Sequence, residues 1–185
     1  MVKTLIRTFI AVELDPCFRE TISELHDLFS SFNLKFVKPE IVHITLKFLG
    51  DVVESKIPLI SSALDSITCE PFEALIGGIG VFPNSSNPKV LWLGATGKFR
   101  ILHEDVENLL KPFKFEKDTR EFTAHATLAR VKSLNRDQKN AFINTIRECK
   151  DVQLGSMKVN QVLLKKSILT PEYPIYETLH TVYMD

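Results

Sequence analysis

The sequence predicts a duplicated α+β unit folded as one body, and three observations carry that expectation. HITL at 43–46 is answered by HATL at 125–128. Each copy lies in a strand-like stretch with a helical stripe before it and another after it. No low-complexity linker separates the halves, so residues 1–185 read as a single domain of two related lobes.

The elements follow from periodicity and punctuation. TLIRTFIAVEL (4–14) is β-rich and mostly apolar, which suits a central strand. Asp15-Pro16 opens a helix whose stripe is Phe18, Ile22, Leu25, Phe29 and Phe32. IVHITLKFL (41–49) is a strand that Gly50-Asp51 ends, and a helix over 54–67 shows Ile57, Ile60, Leu64 and Ile67 on one face. Strands at 72–82 and 89–95 flank the polar PNSSNP loop and form a hairpin. Phe99, Leu102, Val106, Leu109 and Phe113 mark a third helix; TAHATLARV (123–131) is a strand. A fourth helix over about 135–149 and strands at 158–169 and 174–183 complete the order. KFVK (35–38) and KFEK (114–117) precede the two motifs in matching places.

Composition narrows the function classes. Lys plus Arg equals Asp plus Glu at 23 each, so no strong non-specific attraction to nucleic acid or acidic membranes is expected. Contact with nucleic acid should be compact and directed at an end. Three distant cysteines, Cys17, Cys69 and Cys149, with no C-x-x-C, argue for a reducing compartment. The N-terminal stretch reads as a strand rather than a signal peptide, and no apolar run approaches the ~20 residues of a membrane span. A soluble, cytoplasmic protein is expected.

Strand parity turns each motif into half a site. His43 and Thr45 share one face and Ile44 and Leu46 the other; His125 and Thr127 repeat the arrangement opposite Ala126 and Leu128. Packing rarely demands a repeated polar pair. Two imidazoles titrate near neutrality, so one ring can accept a proton while the other donates one, which suits displacement at phosphorus. Thr45 and Thr127 can bond the non-bridging phosphate oxygens. Zinc is a weaker reading, because neither histidine has a partner at i+4 and no H-E-x-x-H occurs. His26, His103 and His180 lack the repeated context; the first two fall in amphipathic helices, where solvated or rim positions are expected.

RTFIAVEL, VKPEIVHITLKFLG, GVFPNSSNPKVLWLG and HATLARVK, spread over residues 5–132, together resemble the two-histidine (2H) phosphoesterases. The nearest branch is the RNA 2′,3′-cyclic phosphodiesterases, historically called 2′-5′ RNA ligases (LigT/ThpR-like). The resemblance implies a bilobal fold: two antiparallel sheets related by pseudo-twofold symmetry around a central cleft, with helices outside. It also implies hydrolysis of a terminal RNA 2′,3′-cyclic phosphate to a 2′-phosphomonoester, with no metal, no cofactor and no obligatory protein partner. His43 would be the proton donor to O3′ and His125 the acceptor that activates water. Arg130 matches a family arginine implicated in substrate binding, although ideal parity sends it to the face opposite His125. Lys47 shares the parity of His43 and Thr45, and Phe9 is core or a base-stacking ring. Ala124 departs from the family, whose members usually carry proline before the second histidine.

Two alternatives stand beside hydrolysis. One is the reverse reaction, 2′-5′ ligation of RNA halves. The other is a non-catalytic module that binds RNA ends, against which the intact pairs of histidines and threonines argue.

Overall fold

The protein is described by a computed structural model over residues 4–116 and 120–185; Lys117 of the KFEK stretch and the first three residues lie outside the described residues. The first unit runs β1 (Leu5–Glu13), α1 (Arg19–Leu28), β2 (Leu34–Phe36), β3 (His43–Val53) and α2 (Ile57–Leu64). The second runs β4 (Phe72–Phe82), β5 (Val90–Thr96), α3 (Phe99–Leu110), β6 (His125–Val131) and α4 (Arg136–Cys149). Three strands close the chain: β7 (Gln153–Val159), β8 (Gln161–Ile168) and β9 (Ile175–Tyr183).

All strands are antiparallel to their neighbours and form one nine-stranded sheet, ordered β7-β4-β5-β6-β3-β1-β8-β9 with β2 on β6. Where two sheets were expected, the structure has one continuous sheet, in which the histidine strands β3 and β6 are neighbours along a short seam. On the β3 side lie β3, β1, β8 and β9; on the β6 side lie β6, β5, β4 and β7, with β2 added on β6. A β-α-β passage, β1-α1 into β3 or β5-α3 into β6, feeds each motif. At the seam Ile44 pairs with Ala126, and both are fully buried.

The helices cover one face of the sheet because their stripes match its inward residues. Ile22, Leu25 and Phe29 after β1, Ile60 and Leu64 of α2, and Phe142 of α4 join Ile10, Val12, Ile44, Leu91 and Leu128 in one core. α4 begins at a capping box, Asn135 with Gln138, that satisfies donors the first turn would leave orphaned.

Several boundaries differ from the sequence expectation for local reasons. Gly50 does not end β3: its φ of +72° lets the strand bend and continue to Val53, which pairs with Leu5. α1 is reached through a tight 3₁₀ turn at Pro16–Phe18 and stops before Phe32. α3 buries Leu110 where Leu109 was expected, since 102, 106 and 110 keep strict i+4 spacing, and Phe113 lies in a 3₁₀ turn beyond it. The strand expected over 158–169 is broken at Asn160 into β7 and β8, and β2 is too short for periodicity to reveal. Among the described residues no helix is long and apolar enough to cross a membrane.

Candidate active site

The antiparallel register about Ile44 and Ala126 sets His43 toward Thr127 and Thr45 toward His125 on the face away from the core. Diagonal neighbours in such a ladder lie roughly 7–8 Å apart. That span admits a phosphorus centre between the rings.

Each ring is fixed in the same way. His43 Nδ1 lies 2.8 Å from the carbonyl oxygen of Ile41, and His125 Nδ1 lies 2.7 Å from that of Thr123. A carbonyl only accepts, so Nδ1 carries the proton in both rings and Nε2 is left for chemistry.

Each motif also carries a bulge at its leucine. Thr45 pairs with Ala11 and Lys47 with Ile10, so Leu46 drops out of the ladder. Thr127 pairs with Trp92 and Ala129 with Leu91, so Leu128 does the same. The extra residue inverts parity downstream. Arg130 is thereby returned to the face of His125 and Thr127, exposed and within electrostatic reach of Tyr176 across the seam. Phe48 is its counterpart in motif one, 70% exposed with its ring 6.2 Å from Phe9.

Lys47 is correspondingly corrected. The bulge turns it to the helix side, where it is buried, meets Glu107 at 2.5 Å and donates to the Glu116 carbonyl at 3.2 Å. It contributes no cation to the cleft.

Besides Phe9, which the sequence singled out, the structure adds Tyr176, Phe82, Trp92, Glu13 and Lys165, which it did not. Phe9 and Tyr176 flank His43 at ring separations of 4.9 and 5.2 Å. Phe82 and Trp92 flank His125 at 4.9 and 6.3 Å. Each imidazole therefore has its own aromatic box. Beside His43, Glu13 forms an ion pair with buried Lys165. Phe9 and Glu13 lie in the RTFIAVEL stretch and Phe82 and Trp92 in GVFPNSSNPKVLWLG, but only the pairing of their strands with the histidine strands brings them to the rings; Tyr176 lies in neither stretch.

Burial lowers the pKa of His43, and Lys165 and His125 push it the same way. The bond to Ile41 and the Glu13 carboxylate oppose that shift. His125 is lowered chiefly by burial, with Arg120 adding to it and the Thr123 bond opposing it. Both rings thus resist protonation until an anion arrives between them.

The other histidines sit elsewhere. His26 packs on Phe36 at 4.7 Å with a buried, unpartnered Nε2, and His180 Nε2 meets Asp65 at 2.6 Å. His103 is no rim residue either: it bonds the Leu46 carbonyl and stacks on Phe122. Among the described residues no cluster of three or more His, Cys, Asp or Glu is disposed to hold a metal.

Two segments of the chain, residues 12–92 and 95–176, match the model of a family described as LigT-like phosphoesterase, and each segment holds one histidine motif. A protein of Archaeoglobus fulgidus named RNA 2′,3′-cyclic phosphodiesterase is 38% identical over 94% of this chain and 98% of its own. One of the same name from Methanothermobacter thermautotrophicus is 41% identical over 92% and 95%. Among solved structures, TT0787 of Thermus thermophilus superposes with a TM-score of 0.78 at 29% identity, covering 97% of this chain and 98% of its own. Escherichia coli LigT complexed with 3′-AMP also gives 0.78, at 20% identity over 98% and 99%, a likeness of fold.

Proposed function

The chain belongs to the LigT-like phosphoesterase family, and on that premise we propose that it hydrolyses RNA terminal 2′,3′-cyclic phosphate to a 2′-phosphomonoester. The reaction uses no metal and takes place in the cleft between the two lobes of a single domain. The observation that carries this reading is the matched pair of imidazoles, each tied through Nδ1 to a carbonyl two residues back.

Water attacks phosphorus as His125 Nε2 takes its proton. The P–O3′ bond breaks as His43 Nε2–H protonates O3′, which leaves a 3′-hydroxyl and a 2′-phosphate. The donor role at His43 follows the family resemblance: Glu13 favours an imidazolium there but Lys165 opposes it more strongly, while Arg120 opposes one at His125. Thr45 and Thr127 donate to the non-bridging oxygens as charge grows on them, and Arg130 pairs with the phosphate. Free thiols at Cys17, Cys69 and Cys149 support a cytoplasmic setting.

The test is an oligonucleotide ending in a 2′,3′-cyclic phosphate, incubated with and without EDTA. We expect EDTA-insensitive conversion to the 2′-phosphate, and losses of roughly 100- to 10,000-fold for His43→Ala and for His125→Ala. Full activity in either variant would sink the mechanism. Binding without turnover at any pH between about 5 and 8 would favour a non-catalytic module, since a working pair of histidines titrates in that range.

A further inference from the structure

Helix α3 sends one side chain to the supports of both motifs. His103 Nδ1 lies 2.9 Å from the carbonyl oxygen of Leu46, the bulged residue after Thr45. The same ring stacks on Phe122, with centroids 4.2 Å apart and planes 6° from parallel. Phe122 adjoins Thr123, whose carbonyl lies 2.7 Å from His125 Nδ1. One imidazole thus touches the backbone that carries Thr45 with its edge, and the approach to His125 with its face.

The bulge explains the need for such a group. A bulged residue leaves the ladder, so its carbonyl must find a donor elsewhere. In motif two the donor is a backbone group: Val37 N–H, just past β2, lies 2.8 Å from the Leu128 oxygen. In motif one a side chain replaces it. One turn further along α3, Glu107 binds Lys47, so the helix grips the bulge at two successive residues.

We propose that His103 is a positioning residue for this hydrolysis, holding the motif-one bulge and the approach to His125 in one register so that Thr45 and His125 meet the same phosphate. The role rests on the cyclic phosphodiesterase reading. His103 touches no reacting atom and acts through Leu46 and Phe122. Its leverage comes from the geometric tolerance of catalysis, where a displacement of about 1 Å can cost roughly 100-fold.

Three variants separate positioning from stability. His103→Phe keeps a ring on Phe122 but loses the donor, and His103→Gln keeps a donor but loses the stack. Val106→Ala removes buried methyl groups from the same helix and leaves the His103 ring itself intact. Kinetics on a cyclic-phosphate oligonucleotide are measured where circular dichroism shows every variant folded. We expect kcat to fall at least about tenfold in both His103 variants, with KM within about threefold, while Val106→Ala keeps kcat within about twofold. Long-range 1H–15N spectra should show the His43 and His125 ring signals moved in the His103 variants and unmoved in Val106→Ala.

His103 variants that only lose thermal stability, with kcat and both ring signals as in the wild type, would overturn the proposal. Should the wild type itself not turn over the cyclic phosphate, the reaction reading fails. The ring signals then decide the positioning role by themselves: moved signals uphold it and unmoved ones reject it.

Discussion

Leu46 of β3 and Leu128 of β6 occupy the same bulged position in their two strands, each skipped between a threonine and a residue that re-enters the ladder. The consequence falls on Arg130, which an ideal strand would turn away from His125. Arg130→Ala should lower kcat/KM by roughly 10- to 100-fold, as expected for losing a charged hydrogen bond to phosphate. Arg130→Lys should recover only part of it, because an ammonium lacks the planar fork. Steady-state kinetics on a cyclic-phosphate oligonucleotide measure both.

The pH–rate profile should peak on the acid side of neutrality. The rate as kcat/KM depends on one ring neutral and one protonated in the free enzyme, and its maximum lies midway between their two pKa values. Both are lowered from 6.5, first by burial, so the bell should centre below about 6.5. The alkaline limb of kcat should lie higher than that of kcat/KM, since the bound phosphate's charge favours the imidazolium. A kcat/KM maximum above about pH 7 would contradict the burial of the two rings.

Stability should follow the same groups with a definite sign. A histidine whose folded pKa is lowered stays neutral below 6.5 while the unfolded chain takes up a proton. The unfolded state then binds more protons, so stability falls as pH drops from about 6.5 toward the folded values, and these rings add nothing above that window. Calorimetry between about pH 7 and about pH 5 should show Tm declining on acidification. The double variant His43→Gln/His125→Gln should decline less steeply, with His26, also lowered by burial, retaining part of the slope.

How much of this was legible in the sequence depends on distance along the chain. The His and Thr faces were readable because alternation over three residues needs no long-range information, and Ile44 and Ala126 are buried opposite them as parity requires. Lys47 was misassigned and Arg130 left in conflict for one reason, an inserted residue in each ladder. The trace of that insertion is present as a doublet of consecutive buried residues, Leu46-Lys47 and Leu128-Ala129, but a buried lysine disguises the first. Of the aromatic boxes only Phe9 was singled out, as core or a stacking ring, and the rest was out of reach. Tyr176 arrives beside His43 only through the β1-β8 and β8-β9 registers, which no local pattern encodes.

Gly80 should be intolerant of any side chain because of Trp92. The two are paired across β4 and β5, and a Cβ on residue 80 would lie 2.2 Å from the indole. The ring is rigid and forms one wall of the His125 box. Gly80→Ala should cost about 1–3 kcal/mol in overpacking strain and reduce kcat by displacing the wall. As the chain has a single tryptophan, its fluorescence reports this movement directly, and an unchanged emission spectrum would exclude it.

The division of labour between the two histidines can be separated by the leaving group. If His43 protonates O3′, its importance depends on how poor a leaving group that oxygen is. Replacing O3′ by sulfur in the cyclic substrate supplies a leaving group that departs as a thiolate and needs no proton. The defect of His43→Ala should then shrink by at least about tenfold, whereas His125→Ala, which lacks the base that activates water, should stay as impaired as with oxygen. The opposite pattern would exchange the roles. That exchange would imply that the Glu13 carboxylate is too committed to Lys165 to favour a protonated His43.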